Sequence, residues 1–141
     1  MTTKNIYEVF DEVAAAATEE DKRQALIKND TPALRLVLRA AFHPNIKFVF
    51  TEPVPYKRSD VPVGLGESTL HKEIWRIYLF EDANPRVSPN LTLERKFQLL
   101  TQILESLETR EAEVYMNMIL KDLKVDGLTR ELVMSVYPGL I

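Results

Sequence analysis

From Thr109 onward, apolar residues return at three- and four-residue steps through Ala112, Tyr115, Met116, Ile119, Leu120 and Leu123. That spacing gives a helix one face for a core and another for water. The pattern breaks at Lys124-Val125-Asp126-Gly127-Leu128, resumes behind Thr129, whose hydroxyl suits an N-cap, and stops at Pro138-Gly139. The chain therefore closes with a helix, a tight glycine turn and a second helix, and the rest of it must supply faces for these to pack on.

Such faces recur upstream. Ile6, Val9, Phe10, Val13, Ala14 and Ala17 line one side of a first helix over 6–17. Thr18 with Glu19-Glu20-Asp21 opens a second helix running to Lys28, and Thr31-Pro32 opens a third with Leu34, Val37, Leu38 and Ala41 turned inward. Over 42–66 the helical period disappears. There His43-Pro44-Asn45 marks a turn, 46–50 alternates like a short extended piece, and Pro53, Pro55 and Pro62 block helix. Ser68 or Thr69 then starts a helix so apolar (Leu70, Ile74, Trp75, Ile77, Tyr78, Phe80) that it is expected to be central. A loop over 82–91 leads to Thr92, which caps a helix with Phe97, Leu100, Ile103, Leu104 and Leu107 as its core face. The expected fold is all-α: one domain over 1–141, a compact bundle of about seven helices with one proline-rich irregular segment at 42–66.

At 141 residues, 45% hydrophobic and 28% charged, the chain has the length and mixture of one soluble domain. No apolar run approaches the roughly 20 residues of a membrane span. There is no cysteine, which excludes disulfides, thiolate metal sites and cysteine nucleophiles and suits a cytoplasmic protein. His43 and His71 are the only histidines and neither has a second ligand at helical spacing, so no metal is expected. Glu19/Glu20, Glu81/Asp82 and Glu111/Glu113 fall near helix ends or on polar faces, where solvation and the helix dipole account for them. With no nucleophile motif and no glycine-rich phosphate loop, the expectation is a non-enzyme without cofactor.

Net charge is −3, but 32–60 is net positive and both flanks are net negative. Arg35 and Arg39, four apart, share a helix face, either solvated or turned to phosphates. Lys47, Lys57 and Arg58 stand beside Phe48, Phe50 and Tyr56. Basic residues interleaved with aromatics make a nucleic-acid surface, whereas aromatics in an extended stretch also serve to anchor a loop to a core. At the other end Lys121, Lys124 and Arg130 flank a helix start whose free amides suit an anion.

Together these pieces resemble the N-terminal helical DNA-binding domain of phage-type ATP-dependent DNA ligases. The strongest stretch is Leu120-Lys121-Asp122-Leu123, a glycine turn, and a helix ending Val136-Tyr137-Pro138-Gly139-Leu140-Ile141. Upstream, Asp21-Lys22-Arg23-Gln24-Ala25-Leu26-Ile27-Lys28-Asn29, then 34–41 and the run 42–50 into prolines, follow the same order. The resemblance covers nearly the whole chain. It implies a stand-alone, phage-encoded, non-catalytic module gripping duplex DNA, nicked or intact, by its phosphates, with Lys121, Lys124, Gly127, Thr129 and Arg130 as the phosphate-contacting group. Arg35, Arg39, Lys47 and Lys57 are the remaining candidate contacts. Asp126 departs from the family, since its turn is one residue longer and the carboxylate repels a phosphate. The rival expectation is an acidic protein-interaction module that modulates a host or viral enzyme; oligomeric state is unspecified. Lys124-Val125-Asp126-Gly127 also spells the K-x-D-G pattern of adenylated lysines, but the strands, carboxylates and lysines that chemistry needs have no room in the residues that follow.

Overall fold

Threonine starts most of the helices. The computed structural model of the protein describes residues 4–57 and 68–141, and within them Thr18, Thr31, Thr69, Thr92 and Thr129 each accept a backbone N–H three residues ahead. Each hydroxyl satisfies one of the amides a helix start leaves without a partner. The helices are α1 (Ile6–Ala15), α2 (Glu19–Lys28), α3 (Pro32–Phe42), α4 (Leu70–Glu73, continued as a 3-10 helix over Ile74–Phe80), α5 (Leu93–Ser106), α6 (Thr109–Ile119) and α7 (Arg130–Val136). In the described residues there is no sheet, only an isolated bridge between Phe48 and Glu81. The all-α expectation is met. No helix among the described residues is long and apolar enough to cross a membrane.

The hub is α6, not the expected helix after residue 68. It packs against α1, α3, α4 and α5, while α2 is held between α1 and α7. Its Tyr115 is fully enclosed and donates its hydroxyl to the Glu73 carbonyl at 3.1 Å, and that enclosure pushes the phenol pKa up. Leu70, Ile74 and Phe80 of the segment after Thr69 reach the core, but Trp75 is 60% exposed and Ile77 and Tyr78 are half-buried. The reason is local. After one α-helical turn the backbone tightens to three residues per turn, so residues spaced for an α-helical stripe no longer share a face. Ala17 is exposed because α1 ends at Ala15, Ala14 is exposed within α1 where it lines an open cavity, and Phe97 sits at the edge of the core, 37% exposed.

Phe42, expected to open the irregular segment, is the last residue of α3. The described part of the segment is pinned by its aromatics. Phe48 is buried, Val49 N–H donates to the Phe80 carbonyl at 2.9 Å, and Asp82 N–H to the Lys47 carbonyl at 2.7 Å. The Phe50 ring lies 6.2 Å from Phe80 and 6.4 Å from Phe97, and Tyr56 packs on the core. Aromatics here anchor the loop. Arg58, Pro62 and Gly66 lie outside the described residues.

Three carboxylates are buried where α4 meets the start of α6. Glu73 accepts from Ser68 Oγ at 2.8 Å and from Arg76 Nη1 at 3.2 Å. Glu108 caps α6 through the Glu111 N–H at 3.0 Å. Glu111, expected on a polar face, is 3% exposed; its Oε2 accepts from Leu70 N–H at 3.3 Å and its Oε1 has no partner. Burial, reinforced by the neighbouring Glu108 charge and only partly offset by the Leu70 N–H, raises its pKa to about 7. The native state therefore holds this proton more tightly than the unfolded chain, whose value is near 4.5. Stability contributed by Glu111 is complete below pH about 4.5 and lost as pH rises through about 7, a swing on the order of 3 kcal/mol. Urea unfolding of Glu111→Gln at pH 5 and pH 8 is expected to show less pH dependence than the parent and a gain in stability on the alkaline side. An unchanged pH profile would place the titration elsewhere.

Candidate nucleic-acid interface

After Ile119 the chain turns on two non-glycine residues of positive φ, Lys121 (+64°) and Lys124 (+57°), and then on Gly127 (+76°) before Thr129 caps α7. Lysine adopts such a backbone at some cost, so each position calls for a cause. For Lys121 the cause is plain. Its ammonium donates to the carbonyls of Ala40 (2.7 Å), His43 (2.8 Å) and Ile46 (2.7 Å), closing the C-terminal end of α3 with all three of its protons. Although its stem is exposed, the ammonium is enclosed enough that desolvation lowers its pKa. Lys22 does the same for α1, donating to the Val13 (2.7 Å) and Ala16 (3.1 Å) carbonyls. The Lys22 stem lies where a Cβ on Gly127 would be, 2.5 Å from that position. Gly127 is thus required by its own φ, and a Cβ there would also have to push aside the far end of the Lys22 side chain.

Arg35 is also engaged. It meets Asp30 through two nitrogens at 2.8 and 2.6 Å and lies 5.1 Å above the Tyr137 ring, and the pairing holds the Asp30 carboxyl below its usual range. The Tyr137 hydroxyl in turn donates within reach of the Leu26 carbonyl (3.3 Å) and Asp30 (3.2 Å), so one arginine ties α2, α3 and the end of α7. Thr129 spends its oxygen on the Leu132 N–H at 3.1 Å.

The other expected contacts face solvent. Arg39, Lys47, Lys57, Lys124 and Arg130 are exposed, and their side chains make no ion pair or hydrogen bond among the described residues, as is also true of Lys72 and Lys96. The remaining described cations are occupied: Lys4 and Lys28 by Glu12, Arg23 by Glu19 and Glu20, Arg110 by Asp11 and the Tyr7 ring, Arg76 by Glu73, Arg86 by the Tyr78 ring, Arg95 by Gln98. Lys124 stands between two cavities. One of about 280 Å3 runs between α1 and α6 over Phe10, Ala14, Val114, Leu123 and Val125, with Asp11, Arg110 and Asn117 at its rim. The other, about 310 Å3, is lined by Ala41, Phe42, Asp126 and Leu128. Asp126 is exposed on the turn, beside the lysine that would bind a phosphate. Among the described residues no group of histidines and carboxylates is placed to hold a metal ion.

The sequence pattern of a family of unknown function (DUF6433) matches residues 9–125. No curated protein matches the chain.

The two kinds of lysine separate on substitution. Lys121→Met strands three carbonyls and is expected to cost about 1–3 kcal/mol in urea unfolding, whereas Lys124→Met stays within about 0.5 kcal/mol of the parent. Gly127→Ala, strained in φ and driven against Lys22, is expected to lose about 1–3 kcal/mol in the same measurement.

Proposed function

We propose, for a chain that belongs to the DUF6433 family and takes no activity from a named relative, that it is a non-catalytic module binding duplex DNA through its phosphates, in phage DNA metabolism. One observation carries this reading. Apart from Lys72 and Lys96, the described lysines and arginines left without a protein partner are all candidate phosphate contacts: Lys124 and Arg130, which the ligase-domain resemblance assigns, and Arg39, Lys47 and Lys57, which the charge pattern singles out. An exposed cation that no carboxylate pairs keeps part of its field, with Asp126 beside Lys124 and Glu105 at the Lys57 N–H weakening it, and a phosphate that meets it displaces counterions into solution. Lys121 and Arg35 drop out of the contact set, since their charges are spent inside the fold. With a net charge of −3, what remains makes a weak and salt-sensitive binder.

Fluorescence anisotropy with nicked and intact duplexes tests this. Saturable binding at low ionic strength is expected, with log K falling against log salt by about 0.9 for each phosphate contact. Lys124→Gln combined with Arg130→Gln should flatten that slope by about 2. No saturable binding, or a slope that ignores these substitutions, would overturn the proposal.

The rival reading, an acidic module that docks on a host or viral protein, is favoured by the apolar floor of the cavity between α1 and α6. Ala14→Glu places a charge in that cavity from an exposed position. A nuclease-resistant partner released by this substitution, with DNA binding absent, would support the rival.

A further inference from the structure

Lys72, Trp75 and Tyr78 follow one another at three-residue steps across the junction where α4 tightens into its 3-10 continuation. At three residues per turn such positions stand one above the other, and across the preceding α-turn they are also neighbours. They form one stripe: an unpartnered ammonium, an open indole and a phenol ring. The guanidinium of Arg86 lies over the Tyr78 ring at 4.3 Å, so a second cation closes the stripe, while Arg76 beside it is paired with Glu73. Glu73 is buried and spends its charge on Arg76 and Ser68, which leaves Lys72 without a carboxylate partner. At the far end Glu81 accepts from Asn84 at 2.7 Å, so the positive section runs from Lys72 to Tyr78. Trp75 carries no ring, cation or hydrogen-bond partner among the described residues, and it is 60% exposed.

A large flat ring held open on a short rigid helix between cations fits an unpaired nucleotide. The base stacks on the indole face, and the phosphates on either side fall to Lys72 and to Arg86. Paired bases in a duplex present no free face to it. We propose that the Lys72–Trp75–Tyr78 stripe is a stacking platform for single-stranded nucleic acid, extending the DNA-binding reading above, on which it rests, from duplex phosphates to an unpaired base at a gap, flap or end. A protein partner would use Trp75 as a buried anchor instead. The unpaired ammonium of Lys72, and an Arg86 guanidinium held by a ring and no carboxylate, favour the nucleotide.

Trp75 is the only tryptophan in the chain, so its fluorescence reports its own occupancy. Titration of the full chain with a short oligothymidylate is expected to quench that fluorescence saturably, while a blunt duplex of equal length leaves it nearly unchanged. By anisotropy, Trp75→Leu should weaken oligothymidylate binding about ten-fold and duplex binding less than two-fold, with Trp75→Phe in between. Because Trp75 is exposed, these substitutions leave the core intact. Oligothymidylate binding without quenching, or with equal affinity in Trp75→Leu, overturns the platform and leaves the duplex reading standing. Failure of both oligonucleotides to bind overturns both readings. Quenching by a purified protein partner but by neither oligonucleotide assigns the indole to protein docking and also overturns the platform.

Discussion

Two lysines finish helices that are not their own. A helix leaves its last carbonyls without amide partners, and neither α1 nor α3 ends on a glycine that would fold those carbonyls back on themselves. Lys22 reaches the end of α1 from α2, and Lys121 reaches the end of α3 from the residues after α6. Each places a positive charge at the negative end of a helix dipole and satisfies carbonyls that would otherwise depend on water. The α1–α2 pair and the α3–α6 pair are tied by these contacts, and the Gly127 turn is shaped around one of them. Arg35 adds the third tie, binding the end of α2 and the end of α7 to α3.

The same arrangement divides the chain's positive charge into two populations. Some cations lie against carbonyls, carboxylates or aromatic faces and contribute to the fold. Others, Lys47 beside the bridged loop and Lys124 between two cavities among them, hold no protein group and face water. Net charge alone hides this division, because a negative total says nothing about which charges are already neutralised nearby. A cation without a partner still presents a local positive field, limited in range to about a Debye length, and exposed carboxylates such as Asp126 and Glu131 set where that field is opposed.

Much of the architecture was legible because its signals are local. A threonine followed by an apolar period marked the starts of α2, α3, α5 and α7, and the stepwise run from Ala112 to Ile119 located the inner face of the helix that became the hub. The segment after Thr69 was less legible. Its apolar residues suit an α-helix all round, and only the backbone reveals where the turn tightens and turns Trp75 outward. Glu111 was missed by treating charge as a mark of the surface, although Glu108, Glu111 and Tyr115 step by three and four along the inner face of α6. Lys121 and Arg35 were legible as charges but not as ties, since Ala40 and Tyr137, which they meet, lie far away in sequence.

The carbonyl cage around Lys121 also bears on how the chain matures during synthesis. Its three acceptors precede the lysine by 81, 78 and 75 residues. α3 is synthesised well before the cation that closes it, and until Lys121 has been added and has left the exit tunnel those carbonyls depend on water.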